Sequence, residues 1–187
     1  MTKPVSEAPA YEEVLEFWFK ETEPKQWWVV DPAFDARLRE RFLPLLDRAA
    51  RGELFPWRVT AQGRLAEVIV LDQFSRNIYR NTPGAFAQAP MALALSQEAV
   101  SAGGLQHLEP MQRAFLLMPY MHSESAIVHG EAERLFREWT PQGSYEFELR
   151  HKAIIDRFGR YPHRNKVLGR ASTPEEEEFL QQPGSSF

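Results

Sequence analysis

The sequence contains no cysteine, and this absence removes several classes of chemistry at once. Disulfide cross-links, cysteine nucleophiles and metal sites built on thiolates are excluded. Stability must therefore come mainly from apolar burial, and 43% hydrophobic residues over 187 positions can fill a sizeable core. With this apolar content, most of the chain is expected to fold.

Long apolar runs are also missing. The longest, residues 65–71, contains Glu67 and is far shorter than the roughly 20 residues that a membrane span requires. Residues 1–14 contain one lysine and no apolar run, so they do not resemble a signal peptide. We therefore expect a soluble, cytoplasmic protein with no membrane partner.

Lysine is scarce, because 17 of the 22 basic residues are arginine. The formal net charge is −4, which predicts no binding of nucleic acid through bulk charge. Residues 150–170 nevertheless carry seven basic side chains and one acidic side chain. Such a segment can attract an anion, since guanidinium groups hold carboxylate or phosphate through paired hydrogen bonds.

Residues that favour strands are few. Val, Ile and Thr total 21, whereas Ala, Leu, Glu and Arg total 76, and no long apolar–polar alternation is present. We predict an all-α fold of eight or nine helices, in a bundle or short solenoid, as a single domain over residues 1–187. Flexible tails are expected at 1–9 and 181–187. The aromatic clusters at 17–19 and 27–28 are predicted to lie in the core.

Helix ends can be predicted from capping residues. Asp31, Thr60 and Thr173 each precede a helical pattern and offer a side-chain oxygen to the first turn. Pro44 and Pro119 lie inside such patterns, where proline removes a hydrogen bond and crowds the preceding turn. We expect both prolines to kink or interrupt their helices.

The first polar segment, residues 71–80, continues the most apolar predicted helix. Asp72 and Arg76 are four residues apart and should share a helix face. The same spacing relates Gln73 to Asn77. Two interpretations remain open: a network that braces neighbouring helices, or a wall that faces a ligand.

The second polar segment, residues 118–124, lies at a predicted helix junction. His122 is a candidate general acid or base, because histidine transfers protons readily near neutral pH. Glu124 could orient it or contribute to catalysis. The alternative is a packed histidine beside a glutamate that stabilises the next helix N-terminus.

The third polar segment is residues 157–165, where Gly159 permits a tight turn. Its candidate ligand-binding and catalytic residues are Arg157, Arg160, His163, Arg164 and Asn165. In one interpretation the arginines bind an anion and His163 is a second acid–base candidate. In the other, the arginines pair with the protein's own carboxylates and hold the C-terminal segment against the helices.

A metal site is disfavoured. The candidate ligands His122, Glu124, His151 and His163 lack a close-spaced metal motif, and nearby arginines would repel a cation. No phosphate-binding loop, dinucleotide fingerprint or serine-hydrolase elbow is present. We therefore predict no metal and no cofactor.

Six strings together resemble a bacterial family known as domain of unknown function 924. They are VLEFWF (14–19), LDQFSRNIYR (71–80), AFAQAPMALAL (85–95), MPYMHSE (118–124), RFGRYPHRN (157–165) and LGRASTPEEEEFL (168–180). The sequence departs from the family at Ser75, where proline is common, and at Ala89, where an acidic residue is common. The resemblance implies a tetratricopeptide-like all-α fold and no established activity.

Three functional hypotheses follow. The leading one is a protein that binds a small anionic molecule or an acidic peptide end. Arg76, Arg160 and Arg164 would contact the anion, and the neutral polar groups of the ligand would meet Gln73, Asn77 and Asn165. The second is a hydrolase or transferase that uses His122 or His163 in the same pocket, oriented by Glu124 or Asp72. The third is a scaffold for protein partners, with an exposed apolar groove. The oligomeric state is left open.

Overall fold

The computed structural model describes residues 10–187, and the all-α prediction is confirmed, since these residues contain no strand. The α-helices are α1 Tyr11–Glu16, α2 Pro32–Ala50, α3 Ala61–Ile69, α4 Ser75–Ile78, α5 Ala89–Ser101, α6 Pro110–Met121, α7 Ala126–Trp139, α8 Gln142–Phe158 and α9 Pro174–Leu180. The 3₁₀ turns are Pro24–Trp27, Phe55–Val59, Pro83–Phe86, Gly104–His107 and Pro162–Arg164. A π-helical turn, Phe17–Glu21, follows α1, and another, Val70–Phe74, joins α3 to α4. The tail predicted at 1–9 lies outside the described residues.

The predicted helix N-termini are confirmed. The Asp31 carboxylate accepts from the backbone N–H of Phe34 at 3.1 Å, and the Thr60 hydroxyl also accepts from its first turn. Thr173 and Glu176 form the reciprocal capping box at the start of α9. Each cap satisfies backbone donors that the helix itself leaves unpaired.

The predicted interruption of the helices at the two internal prolines is wrong. Helix α2 continues through Pro44, and α6 continues through Pro119. Pro44 and Glu40, whose carbonyl loses its usual partner, are both exposed, so water can replace the missing bond. Pro119 lies in the last turn of α6, where only a short helical segment follows it.

The core prediction holds for Phe17 and Trp18, which are 4% and 1% exposed. It is wrong for Trp28, which is 56% exposed. One face of Trp28 stacks on Phe115, with ring planes 12° apart, and its ring also stacks with that of Phe147. Trp28 follows a 3₁₀ turn rather than lying within a helix, so helical periodicity does not govern its burial.

Helix α3 lies at the centre of the packing, against α1, α5 and α6, while α6, α7 and α8 pack in chain order. Gly159 ends α8 in the left-handed conformation, with φ of +72°, and turns the chain back. Tyr161 then donates its hydroxyl hydrogen to the Met121 carbonyl at 2.5 Å. This return places the 3₁₀ turn Pro162–Arg164 beside the end of α6.

Among residues 10–187, no helix is both long enough and apolar enough to cross a membrane.

Candidate functional site

A cavity of about 380 Å³ lies beside the end of α6. Its walls are Asp72, Phe86, Ala89, Pro90, Leu93, Pro119, His122, Ser123, Glu124, Arg164 and Leu168. Each of the three polar segments identified in the sequence contributes at least one wall residue. The fold therefore brings together segments that are separated by up to about ninety positions in the chain.

Asp72 is 3% exposed and lies in the π-helical turn between α3 and α4. Its Oδ1 is 2.9 Å from Nδ1 of His122, and its Oδ2 accepts from Nε2 of Gln73 at 2.7 Å. The Arg76 Nε atom is 3.7 Å from Oδ1, so the spacing argument correctly paired Arg76 with Asp72. Burial opposes ionisation of Asp72, but these partners outweigh it and hold its pKa below the ordinary value.

His122 is neutral at physiological pH. Burial and the neighbouring charge of Arg76 lower its pKa to about 4, although Asp72 acts in the opposite direction. An ionised carboxylate only accepts hydrogen bonds, so Nδ1 carries the proton and donates it to Asp72. The other ring nitrogen, Nε2, then holds a lone pair and has no hydrogen-bond partner among residues 10–187.

Arg164 is only 4% exposed, yet no carboxylate pairs with it among the described residues. Its guanidinium carbon lies 4.5 Å from the centre of the Tyr161 ring and 4.8 Å from that of Phe86. One terminal nitrogen donates to the His122 carbonyl at 2.9 Å, while Nε is buried without a partner. The aromatic rings thus contact the faces of the Arg164 guanidinium group, while the Nε–H on its edge has no hydrogen-bond acceptor.

Arg76 lies just behind the cavity wall and is the second unsatisfied cation. Its guanidinium carbon is 5.2 Å from the ring of Phe86, and Nη2 is buried without a partner. Burial, together with the charge of Arg76, lowers the pKa of Arg164 to about 9, which leaves Arg164 protonated at neutral pH. Two guanidinium groups therefore face one carboxylate, that of Asp72.

The other carboxylate at the cavity, Glu124, already has its own cation. Arg170 donates to both of its oxygens, at 2.7 and 2.9 Å, and the Tyr161 backbone N–H donates at 2.8 Å. Burial opposes ionisation of Glu124, but these contacts lower its pKa. The Glu124–Arg170 pair is thus electrically neutral, and the surroundings of Asp72, Arg76 and Arg164 keep one excess positive charge.

The remaining members of the third segment lie outside the cavity wall. Arg157 pairs with Glu175 at 2.9 Å, and Arg160 holds both oxygens of Glu176, at 2.7 and 2.8 Å. Asn165 also donates to Glu176, at 3.2 Å. These contacts attach the 157–165 segment to α9, as the structural interpretation of the arginines expected.

The second pair of the first segment, Gln73 and Asn77, is divided between two networks. Asn77 donates to Asp35 of α2 at 2.7 Å, and Arg80 donates to both oxygens of the same carboxylate. Gln73 bonds Asp72 rather than Asn77. In the first segment, Asn77 braces α4 against α2, while Asp72 and Gln73 belong to the network at the cavity.

His163 lies behind the cavity, in a cluster of rings. It packs between Tyr161 and Phe187, with ring centres 5.8 and 4.8 Å away. Phe187, in the segment predicted to be a flexible tail, also packs against His151 at 3.7 Å. Of the two histidines proposed for acid–base chemistry, only His122 lines the cavity.

Comparison with known proteins identifies the family. The family model described as "Bacterial protein of unknown function (DUF924)" matches residues 14–184. The chain belongs to this family. A solved structure of the protein of unknown function ATU0120 from Agrobacterium tumefaciens is similar to this DUF924 protein, with 34% identity and a TM-score of 0.87. The match covers 91% of this chain and 96% of that one. A search of curated proteins gave no significant match.

Sequence reasoning missed two features of this DUF924 protein. The first is the apolar wall of the cavity, formed by residues such as Phe86, Leu93 and Leu168, which carry no chemical motif. The second is a buried pair in which Nδ1 of His129 lies 2.7 Å from a carboxyl oxygen of Glu148. These two residues lie on different helices, so no spacing rule joins them.

Acid should weaken the fold through the buried histidines. Burial lowers the pKa of His122 and His163 to about 4 and that of His151 to about 3, from an ordinary 6.5. The unfolded chain therefore binds protons first as the pH falls. We expect the free energy of unfolding, measured in urea, to decrease from about pH 6.5 to pH 4, by roughly 1 kcal/mol or more per histidine.

The control for this prediction is an exposed histidine. Replacing His163 by leucine should reduce the loss of stability between pH 7 and pH 4.5, whereas His107→Leu should leave it unchanged, because His107 is exposed. Equal pH profiles for wild type and H163L would contradict the assignment of His163 as a neutral buried group.

Proposed function

We propose that this DUF924 protein binds a small molecule that carries a carboxylate or phosphate group in the cavity beside the end of α6. The observation that carries the proposal is Arg164, a nearly fully buried cation that lines the cavity without a carboxylate partner among the described residues. Its Nε–H is also buried without an acceptor, which is costly. An anionic ligand in the cavity would supply the missing negative charge.

The surrounding charges support the same conclusion. Arg76 adds a second positive charge beside Asp72, and His122 is neutral because its pKa is about 4. The ring of Phe86 covers part of both guanidinium groups and that of Tyr161 covers part of Arg164, and this partial burial strengthens their attraction for an anion. A volume of about 380 Å³ lies in the range of small-molecule sites, which favours a small molecule over a peptide.

An enzyme that uses this cavity is the second candidate, and the Asp72–His122 pair favours it. Asp72 fixes the tautomer of His122, which leaves Nε2 as a base for a bound substrate. The broad reaction class would be hydrolysis or group transfer. Turnover of a panel of carboxylate and phosphate esters that disappears in His122→Asn would support catalysis, and turnover unchanged in that variant would exclude His122 from it.

The binding proposal is tested by charge removal at Arg164. Isothermal titration with hexanoate and hexyl phosphate should show an affinity about tenfold to a hundredfold lower for Arg164→Gln, since hydrogen bonds to charged groups contribute about 1.5–3 kcal/mol. Arg164→Lys keeps the charge and should retain part of the affinity. The affinity of Arg76→Gln for these anions should fall several-fold, because Arg76 lies behind the cavity wall.

The matched control is Arg137→Gln on the exposed face of α7, which should bind as wild type does. Circular dichroism and thermal unfolding establish that each variant is folded. Binding by folded Arg164→Gln that equals wild type for both anions would overturn the proposal.

A further inference from the structure

The surroundings of the cavity carry one excess positive charge, which a monoanion would neutralise. Arg76 and Arg164 face the single carboxylate of Asp72, and Glu124 is neutralised by Arg170. Two carboxylates therefore remain on the wall itself, where they repel any second negative charge on a ligand. A carboxylate ligand would balance the site, whereas a phosphate dianion would leave one charge uncompensated.

The cavity also has a distinct apolar side. This part of the wall is formed by Phe86, Ala89, Pro90 and Leu93, from the start of α5 and the turn before it, and by Leu168, which follows the 3₁₀ turn Pro162–Arg164. Removing apolar area from water is favourable in proportion to that area. A ligand with an apolar body would therefore bind better than the isolated anionic group.

His122 supplies a hydrogen-bond acceptor next to the cation. Its Nδ1–H is used by Asp72, so Nε2 can only accept while the ring is neutral. Arg164 donates to the backbone carbonyl of the same residue at 2.9 Å, and both residues line the cavity. The oxygens of Asp72 already accept hydrogen bonds from His122 and Gln73.

We infer, on the basis of the proposed function, that the ligand is a 2-hydroxy monocarboxylic acid with an apolar body. The carboxylate lies on Arg164, the adjacent hydroxyl donates to Nε2 of His122, and the body lies against Phe86 and Leu93. A donor one carbon away from the carboxylate fits the adjacency of Arg164 and His122. The apolar wall selects against short or wholly polar acids.

The experiment uses four probes that differ in one feature each. Titration calorimetry at pH 7.5 on the full chain compares acetate, hexanoate, 2-hydroxyhexanoate and hexyl phosphate. Hexanoate should bind at least about tenfold more tightly than acetate, because of its longer apolar body. The 2-hydroxy acid should gain about another fivefold from its hydrogen bond. Hexyl phosphate should bind about tenfold more weakly than hexanoate.

Two variants assign these preferences to residues. His122→Asn keeps a donor for Asp72 but lacks Nε2, so it should lose the preference for the hydroxyl group and retain hexanoate binding within about threefold. Leu93→Ala should weaken the binding of hexanoate severalfold and leave the binding of acetate unchanged. This second variant tests the apolar wall independently if H122N does not fold.

The outcomes separate the two proposals. Tighter binding of hexyl phosphate, or equal binding of hexanoate and 2-hydroxyhexanoate by the wild type, would overturn this inference while the anion site stands. A hydroxyl preference that persists in folded H122N would overturn the role of His122. If none of the four probes binds, both the inference and the proposed function fail.

Discussion

Replacing Asp72 by asparagine is expected to lower the free energy of unfolding by about 3 kcal/mol, because removing one partner of a buried charge cluster leaves the other charges uncompensated. The amide preserves the shape of the side chain, so the loss arises from charge rather than from a cavity. Arg76 would then lose the carboxylate beside it, and Arg164 would keep only Glu124, which already pairs with Arg170. Urea unfolding at pH 7.5 measures the effect.

The same variant should respond more strongly to an anion. Asp72 lines the cavity and repels a carboxylate, so its neutralisation should strengthen hexanoate binding and raise the thermal midpoint by more than in the wild type. Asp156→Asn is the matched control, because Asp156 forms an exposed pair with Lys152 and should cost less than about 1 kcal/mol. A D72N protein that is as stable as wild type, or that gains less from hexanoate, would contradict this assignment.

Replacing Glu148 by alanine is expected to cost about 3–5 kcal/mol, which is typical of breaking a fully buried charged or hydrogen-bonded pair. Glu148 and His129 are both 0% exposed and joined at 2.7 Å between α7 and α8. Burial raises the pKa of Glu148, because water does not solvate its carboxyl group. The hydrogen bond to His129 therefore replaces the bonds that water would make. His129 also donates to the Ser123 carbonyl at 2.8 Å, directly beside the cavity.

The control is two residues away, on the exposed face of α8. Glu146 bonds Gln142 at 3.2 Å in contact with water, and Glu146→Ala should change stability by less than about 0.5 kcal/mol. Chemical unfolding of both variants gives the comparison. Glu148→Ala that unfolds at the same urea concentration as Glu146→Ala would show that the buried pair is not a main support of the α7–α8 packing.

Local rules predicted much of the fold and part of the cavity network. Capping chemistry located the starts of α2, α3 and α9, because a cap depends on a few neighbouring residues. Helical spacing paired Asp72 with Arg76 for the same reason. The effect of the prolines was harder to predict. The free-energy cost of Pro44 depends on whether water reaches the Glu40 carbonyl that lost its hydrogen bond. Access of water to that carbonyl is a property of the whole fold.

Long-range pairing explains what the sequence could not reveal. Asp72 and His122 are 50 positions apart, and His129 meets Glu148 only because α7 packs against α8. Arginine composition drew attention to residues 150–170, but it could not tell which guanidinium groups find carboxylates. Arg160 meets Glu176, whereas Arg164 meets aromatic rings, and that difference arises from tertiary structure.

The most direct test of the account is a nuclear magnetic resonance titration that observes the arginine Nε–H groups, assigned by loss of single signals in Arg164→Lys and Arg160→Lys. Hexanoate and hexyl phosphate are added separately to the folded wild type. The Arg164 Nε–H signal is expected to shift in a saturable manner with at least one anion. The Arg160 signal should stay in place, because Glu176 already holds that group. An Arg164 signal that does not move with either anion would contradict the central claim that this cavity is an anion site.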